Sequence, residues 1–301
     1  MILSSYLTHI LKEQVVGQES AVSAAARAVT LALAGRRHDC RPLGVLLFVG
    51  PIGAGKTHLA QALARVMLGH ERKLIYVNCQ QLSQSADPLL NLNEQFSAGY
   101  WFCRATPASQ PTPFTDCFSP RLSIVVFEEI DKAPATFRDH LAAAIDRGEL
   151  HARGGFFSLR NAFIILTNHL SRKKTDQIIG RSIGFSREDE NGNDMPRQHI
   201  AVLEEIDNML GTYLVNNIDE IVLFEQLTER YILMLLERRL AEIERYLAVS
   251  SIGFIISSEA KTFLLKPGLE DLSHGMRQLN RAVRNYLEFP LADLMLSGQL
   301  S

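Results

Sequence analysis

The amino-acid sequence predicts an α/β fold in which a parallel sheet is flanked by helices, followed by a small, mostly helical domain. Two observations predict it. Through residues 1–224, short apolar runs rich in β-branched residues alternate with helical patterns, which is typical of a parallel sheet covered on both faces. From residue 225 onward, apolar residues recur mainly at helical spacing. We therefore expect a large domain at residues 1–224 and a small helical domain at residues 225–301.

The individual elements can be placed in order along the chain. The five strand candidates are Gly44–Val49, Leu74–Asn78, Ser123–Phe127, Ala162–Thr167 and Glu220–Phe224. Helical patterns lie between them, for example at Thr57–Leu68 and Thr136–Asp146. In the small domain, Leu227–Leu247 has the spacing of an amphipathic helix, and further helices are expected from Ser258 and near Met276.

The composition excludes several classes of protein. The 301 residues are 47% hydrophobic and 21% charged, as in a globular chain rather than a disordered one. A net charge of −2 argues against a protein that mainly coats nucleic acid. No apolar run approaches the roughly 20 residues that cross a bilayer, and the first residues do not resemble a signal peptide. The four cysteines form no Cys-x-x-Cys pair, so we expect reduced thiols in a cytoplasmic protein.

The segment Gly50–Thr57 carries the strongest chemical signal. It reads GPIGAGKT, follows a strand candidate and opens a helical pattern, which is the context of a phosphate-binding P-loop. Glycines let successive backbone N–H groups point at phosphate oxygens, and the helix N-terminus adds a positive dipole end. Lys56 is predicted to contact the β- and γ-phosphates and the Thr57 hydroxyl to hold Mg²⁺. The loop residues predicted to surround the phosphates are Pro51, Ile52, Gly53, Ala54 and Gly55. The motif alone does not distinguish an NTPase from a small-molecule kinase.

Two adjacent acids, Glu128 and Glu129, follow the apolar run Ser123–Phe127. In a P-loop protein, the first acid at this strand end supports Mg²⁺ and the next can activate the attacking water. We therefore predict Glu128 as a Mg²⁺ ligand and Glu129 as the general base, with a solvated acidic pair as the alternative. The strand candidate Ala162–Thr167 is followed by Asn168, whose side chain is able to orient the same water.

Further motifs occur in the order in which one known family carries them. They are VVGQESAVSAAARAV at 15–29, RPLGVLLFVGPIGAGKTHLAQALA at 41–64, VVFEEIDKAPATF at 125–137, DRGEL at 146–150, RNAFIILTN at 160–168, NNIDEIVLF at 216–224 and GMRQLNRA at 275–282. Together they resemble the second, C-terminal ATPase module of the ClpB-type protein disaggregases, in the Clp branch of the AAA+ ATPases. The matches run over nearly the whole chain.

The resemblance implies ATP and Mg²⁺ as cofactors and suggests roles for further residues. The family's opening motif packs on the nucleotide base, which points to Val16 and Gly17, and its sensor-2 arginine touches nucleotide phosphate, which points to Arg277. It also implies a ring of subunits, hexameric in the family, with ATP at the interfaces and a central pore whose aromatic loops pull on a protein substrate. Tyr100 and Trp101 are the candidates for that pore loop, with an ordinary core cluster of aromatics as the alternative.

Two positions depart from the family's pattern. Glu128 stands where the family usually has Asp, and the extra methylene is expected to loosen Mg²⁺ coordination without abolishing it. Asn217 stands where the family has an arginine finger, whose cation a neutral amide cannot replace. Either another arginine (Arg181, Arg187 or Arg197) reaches the site, or a partner protein donates one, or hydrolysis is slow. The sequence contains no recognisable first ATPase ring, so we expect a stand-alone module.

The sequence therefore predicts an ATP-binding Clp-type AAA+ protein that couples ATP binding and hydrolysis to the remodelling of a protein partner. A nucleotide-gated scaffold or assembly switch with little hydrolysis is the first alternative, and Asn217 favours it. A DNA-associated AAA+ regulator is the second alternative. The basic clusters Arg36-Arg37-His38 and Arg172-Lys173-Lys174 lack interleaved aromatic residues, which argues against it. A small-molecule kinase fits poorly, because the acid pair, Asn168 after its strand and the sensor-2 arginine Arg277 would then all be coincidental.

Overall fold

The computed structural model describes residues 2–34, 40–69, 74–84, 122–152, 155–169, 197–270 and 275–297. The strands are β1 (Gly44–Gly50), β2 (Leu74–Asn78), β3 (Ser123–Glu128), β4 (Glu149–Ala152), β5 (Gly155–Ser158), β6 (Ala162–His169) and β7 (Glu220–Leu223). The α-helices are α1 (Ile2–Gln14), α2 (Glu19–Leu33), α3 (Lys56–Leu68), α4 (Cys79–Gln84), α5 (Ala135–Arg147), α6 (Arg197–Leu210), α7 (Thr212–Val215), α8 (Glu229–Val249), α9 (Ser258–Glu270), α10 (Gly275–Val283) and α11 (Phe289–Leu296). A 3₁₀ turn at Ile130–Lys132 and a π-helical turn at Arg284–Glu288 are also present. No helix in these ranges is both long enough and apolar enough to span a membrane.

Five parallel strands form the central sheet in the order β2-β3-β6-β1-β7. The register brings the carboxyl ends of the strands to a common edge: Val49 of β1 pairs with Asn168 of β6, and Phe127 of β3 pairs with Leu166 of β6. Every residue of β1 is buried, as expected for a continuous apolar strand in the middle of a parallel sheet. The ends of β1, β3 and β6 thus lie along the edge at which open parallel sheets bind ligands. The predicted fold class is confirmed.

The chain divides into two compact units, and the first comprises Met1–Val15, Glu19–Gly50 and Gly55–Phe224. Its main apolar cluster joins the sheet to helix α5, which buries Phe137, Leu141 and Ile145 at helical spacing. Full burial of such a side chain stabilises the fold by about 1.5–3 kcal/mol relative to exposure. This packing supports the sheet on whose strand ends the predicted site residues lie.

Some elements differ from the sequence-based expectation. The strands of the central sheet lie within one or two residues of their predicted bounds, and β6 continues to His169, two residues beyond the predicted end. The antiparallel hairpin of β4 and β5 was not predicted from the sequence patterns. The two N-terminal helices, α1 and α2, were likewise not placed by the sequence patterns.

The second unit comprises Val16–Gln18, Pro51–Ala54 and Glu225–Ser301. Its core forms where helices α8, α9 and α10 pack together, and the buried residues are Leu227, Ile232, Leu236, Leu240, Leu264, Leu279, Ala282 and Val283. The apolar run at Phe254–Ile256 forms no strand. Phe254 and Ile256 pack against this core, whereas Ile255 is 98% exposed.

Candidate functional site

The P-loop joins β1 to helix α3 and contains three glycines with positive φ, Gly50, Gly53 and Gly55. A Cβ at Gly50 would lie 2.6 Å from the carbonyl oxygen of Phe224, so no side chain fits there. At Gly55, a Cβ would meet nothing within 4 Å, and glycine is favoured by the backbone conformation, with φ at 99°. The loop backbone is therefore open at Gly55, as close approach of a phosphate requires.

Lys56 is the first residue of α3 and is only 5% exposed. Its Nζ donates a 2.7 Å hydrogen bond to the carbonyl oxygen of Gly50, so the side chain folds back across the loop. A buried ammonium group is costly unless partners of opposite polarity surround it. A phosphate oxygen would supply the full negative charge that a carbonyl oxygen lacks. The position of Lys56 fits the predicted phosphate contact.

Thr57 and Glu128, the two predicted Mg²⁺ ligands, lie together at the edge of the sheet. The Thr57 hydroxyl donates a hydrogen bond to Oε1 of Glu128 over 3.3 Å. Mg²⁺ holds oxygen ligands at about 2.0–2.1 Å in octahedral geometry, so neighbouring ligands are about 3 Å apart. The two oxygens therefore fit a shared Mg²⁺, with water and phosphate oxygens as its other ligands. The Glu128 side chain is one methylene longer than that of Asp, and its carboxylate lies within hydrogen-bond distance of the Thr57 hydroxyl.

Glu129 follows β3 directly, and its backbone adopts the left-handed conformation, with φ at 56° and ψ at 55°. Its N–H donates a 3.2 Å hydrogen bond to Oγ1 of Thr167, and its Oε1 accepts one from Nε2 of His169 over 3.1 Å. A left-handed non-glycine residue persists only where its surroundings hold it, and here β6 does so through two side chains. The Glu129 side chain is 32% exposed, so water can reach the carboxylate, as a general base requires.

Strand alternation determines which side chains of β6 meet Glu129. Residues two apart on a strand point to the same face, so Thr167 and His169 both contact Glu129, whereas Asn168 points to the other face. Asn168 is completely buried, and its Nδ2 lies 3.2 Å from Sδ of Met209 on helix α6. Its Oδ1 has no hydrogen-bond partner within the described part of the chain. The predicted role of Asn168 in orienting water stays a prediction.

His169 is the site residue that sequence reasoning missed. Burial lowers the pKa of His169 below its ordinary value and the positive charge of Lys56 lowers it further, whereas Glu129 acts in the opposite direction. The imidazole is therefore neutral at pH 7, with Nε2–H as donor to Glu129, while the buried Nδ1 has no partner among the described groups. The available signal was a titratable side chain at the end of an apolar strand, one residue beyond Asn168.

The segment Val16–Gln18, part of the motif predicted to contact the nucleotide base, belongs to the second unit. Gly17 has φ at 73°, and a Cβ there would lie 2.6 Å from Cγ of Tyr231. Gln18 is 3% exposed; its Nε2 donates to the carbonyl oxygen of Glu225 over 2.8 Å, and its Oε1 accepts from the N–H of Glu225 over 3.1 Å. Two hydrogen bonds thus join the segment to Glu225 at the start of the C-terminal region.

A concave surface of the second unit includes the first residues of the P-loop. Its lining residues are Pro51, Ile52, Gly53, Ala54, Gln226, Leu227 and Met276. Arg277, the predicted lid arginine, is exposed and follows Met276 on helix α10. Arg277 is therefore adjacent in sequence to Met276, which lines the same surface as the P-loop residues Pro51, Ile52, Gly53 and Ala54.

Asn217, at the expected position of the arginine finger, is a buried structural residue with 5% exposure. Its Oδ1 and its carbonyl oxygen both accept hydrogen bonds from Nη2 of Arg41, over 3.1 and 3.0 Å. Its Nδ2 donates to the carbonyl oxygen of Tyr213 over 3.0 Å and to Oδ2 of Asp146 over 3.4 Å. The amide thus joins three segments of the first unit. The phenol of Tyr213 also donates to Asp146, over 3.2 Å.

Several predicted residues lie outside the described residues: Tyr100 and Trp101 of the predicted pore loop, and Arg181 and Arg187 among the possible substitutes for the arginine finger. Arg197, the third of those arginines, is the first residue of helix α6. The roles assigned to all five from the sequence stay predictions.

Comparison with known proteins places this geometry in a family. The sequence profile of the AAA domain (Cdc48 subfamily) matches residues 41–221, and that of the C-terminal, D2-small domain of ClpB protein matches residues 227–301. The chain is 30% identical over 293 residues to the chaperone protein ClpB of Aquifex aeolicus, covering 96% of this chain and 28% of that protein. It is 31% identical over 302 residues to the chloroplastic chaperone protein ClpD of Arabidopsis thaliana, covering 99% of this chain and 31% of that protein.

Solved structures agree on the fold. The S. cerevisiae Hsp104–ADP complex superposes with a TM-score of 0.72 at 23% identity, covering 99% of this chain and 49% of the Hsp104 chain. The chain thus spans about a third of the length of the curated relatives and about half of the Hsp104 chain. With its two parts matched in order, the chain belongs to the AAA domain family (Cdc48 subfamily) as a ClpB-like AAA+ module with a small C-terminal domain.

Proposed function

We propose that the chain binds ATP with Mg²⁺ at the P-loop, hydrolyses it, and uses the cycle to remodel a protein partner. The observation that carries the proposal is the meeting of Lys56, Thr57, Glu128 and Glu129 at one edge of the sheet. A cation, two hard oxygen ligands and a water-accessible carboxylate are the groups that transfer of a phosphoryl group to water requires. We further propose that residues 1–224 form the ATPase domain and residues 225–301 its lid.

The proposed chemical step uses each of these groups once. The loop N–H groups and Lys56 bind the β- and γ-phosphates, and Thr57 and Glu128 would hold Mg²⁺, which neutralises charge on the same phosphates. Glu129 accepts a proton from a water molecule as the water oxygen attacks the γ-phosphorus. The bond between the γ-phosphorus and the bridging oxygen then breaks, and ADP and inorganic phosphate are released.

The nucleotide state is proposed to reach the lid through the residues of the second unit. Val16 and Gly17 would pack on the base, and Arg277 would contact phosphate. The double hydrogen bond between Gln18 and Glu225 supports this assignment, because it fixes the base-binding segment to the residue at which the lid begins. Movement of the lid would then follow occupancy of the site.

Coupling to a protein partner is the step that rests most on the relatives. Both relatives named above are called chaperone proteins, although this chain corresponds to only a third of their length. We propose that copies of the chain assemble into a ring in the cytoplasm, with Tyr100 and Trp101 facing a protein substrate. Because Asn217 is locked in a hydrogen-bonded network, we propose that a partner protein donates the missing arginine or that turnover by the chain alone is slow.

The proposal is tested with two variants at the P-loop site. Lys56→Ala should abolish ATP binding measured by calorimetry, because it removes the buried cation. Glu129→Gln should retain ATP binding and lose turnover, because the amide cannot accept the proton of water. Lys266→Ala, at a 72% exposed lysine of helix α9, is the matched control and should change neither. Equal loss of binding in Lys56→Ala and Glu129→Gln would contradict the assigned roles.

A nucleotide-gated scaffold is the second candidate function, and the neutral, buried side chain of Asn217 favours it. Steady-state ATPase assays of the purified chain, alone and with proteins captured by the ATP-loaded Glu129→Gln variant, distinguish the two. Robust turnover by the chain alone would refute the scaffold and indicate that another arginine completes the site. Absence of turnover both alone and with the captured proteins would favour the scaffold.

A further inference from the structure

We propose that His169 is a positioning residue for Glu129. It donates a hydrogen bond to one oxygen of the Glu129 carboxylate, and the other oxygen accepts the proton of the attacking water. The inference deepens the proposed ATPase function and rests on it. It assigns a specific task to a side chain that neither the sequence motifs nor the family comparison singled out.

The geometry of two neighbouring strands supports this task. β3 and β6 are parallel partners whose carboxyl ends lie at the same edge of the sheet, so the residue after β3 lies beside the last residues of β6. His169 donates from Nε2 to Oε1 of Glu129 over 3.1 Å, and Thr167, on the same face of β6, accepts from the Glu129 backbone over 3.2 Å. Backbone and side chain of Glu129 are therefore both anchored to one strand. A carboxylate on a left-handed residue with two such anchors has a single preferred direction.

The electrostatic surroundings make His169 a neutral donor rather than a counter-ion. The charged groups that act on it are Lys56 on helix α3, Glu129 after β3 and Asp131 in the following turn. Burial and Lys56 together lower the pKa of His169, which keeps the ring uncharged. The uncharged imidazole donates from Nε2 to the Glu129 carboxylate, so the contact is a hydrogen bond to a neutral group rather than an ion pair.

The neighbouring asparagine does not reach the same carboxylate in this structure. Asn168 points to the opposite face of β6, where its Nδ2 faces the sulfur of Met209, and its side chain is completely buried. Rotation of a side chain does not move it across the sheet, because the strand itself sets the face. Within the described part of β6, His169 is the side chain that donates a hydrogen bond to the Glu129 carboxylate.

A kinetic comparison of three variants tests the inference. His169→Ala removes the donor and should lower kcat for ATP hydrolysis about 10- to 100-fold, with a change of less than about two-fold in KM, because the carboxylate loses its direction while phosphate binding stays intact. His169→Gln places an amide N–H at a similar reach and should recover most of kcat. His140→Gln is the matched control: its Nε2 also contacts an oxygen, the carbonyl of His151 over 2.8 Å, and its replacement should leave kcat unchanged.

A double variant distinguishes positioning of Glu129 from a general structural effect. In the Glu129→Gln background, His169→Ala should cause no further loss of residual turnover, because there is no carboxylate left to position. Wild-type kcat in His169→Ala, equal impairment of His169→Ala and His169→Gln, or additive losses in the double variant would each overturn the inference.

An NMR measurement keeps the inference separate from the proposed function. Imidazole ¹⁵N shifts, assigned with His169→Gln, should show the Nε2–H tautomer of His169, and Glu129→Gln should change those shifts but not those of His140. If the wild-type chain hydrolyses no ATP, alone or with a partner, the proposed function fails. The ¹⁵N shifts still test whether His169 donates a hydrogen bond to Glu129. An Nδ1–H tautomer, or shifts insensitive to Glu129→Gln, would overturn the inference.

Discussion

Replacing Asn217 by alanine tests the claim that this residue is a structural element of the fold. The Asn217 side chain is 5% exposed, accepts a hydrogen bond from the charged Arg41 over 3.1 Å and donates one to the carbonyl of Tyr213 over 3.0 Å. A hydrogen bond to a charged group contributes about 1.5–3 kcal/mol and a neutral one about 0.5–1.5 kcal/mol. Arg41 is 27% exposed and keeps its bond to the main-chain oxygen of residue 217, so part of the first contribution is recovered through water.

We therefore expect Asn217→Ala to lower the free energy of unfolding by about 2 kcal/mol. Urea denaturation followed by circular dichroism measures it, with the m-value expected to stay constant. The control is Asn216→Ala, because Asn216 is the preceding residue of the same type and is exposed. If both variants lose less than about 0.5 kcal/mol, the network contributes little and the structural account of Asn217 is wrong.

Two further perturbations follow from the site. Gly17→Ala should destabilise the second unit by about 2–4 kcal/mol, because φ is 73° there and the added Cβ would lie 2.6 Å from Tyr231. The control is Gly253→Ala, whose added Cβ would meet no atom within 4 Å. Equal midpoints of urea unfolding for the two variants would contradict the reasoning. The pKa of His169 lies below its ordinary value of 6.5 in the folded chain, so its stabilising contribution is present above pH 6.5 and is lost as the pH falls through the folded pKa. Denaturation at pH 7 and pH 5 should therefore show a smaller loss of stability in His169→Gln than in the wild type, and identical losses would exclude this effect.

The P-loop and the strands of the central sheet could be predicted from the sequence alone. The GPIGAGKT segment needs only local conditions, namely glycines with free backbone conformation, a strand before them and a helix after them. The same holds for the strands of the central sheet, because continuous burial leaves an apolar run that needs no knowledge of its neighbours. The site residues at the ends of β1 and β3 were predicted on this basis.

Three features depend on contacts between distant segments and therefore could not be predicted from the sequence. The hydrogen-bond network of Asn217 joins residues from 41 to 217, and the clamp between Gln18 and Glu225 joins residues 207 positions apart. The choice between Asn168 and His169 depended on where β6 ends and on which of its faces meets β3. A sequence shows that a polar residue follows an apolar run, but it does not show to which face of the sheet that side chain points.

The sequence by itself determined that this protein has a nucleotide-type P-loop, a pair of acids at a strand end and a helical C-terminal part, because the pattern that predicts each of them involves residues close together in the chain. Tertiary structure decided which side chain contacts the Glu129 carboxylate and what Asn217 contacts. The physical reason is that strand register and the alternation of side chains across a sheet are properties of paired strands, which form only when the chain has folded.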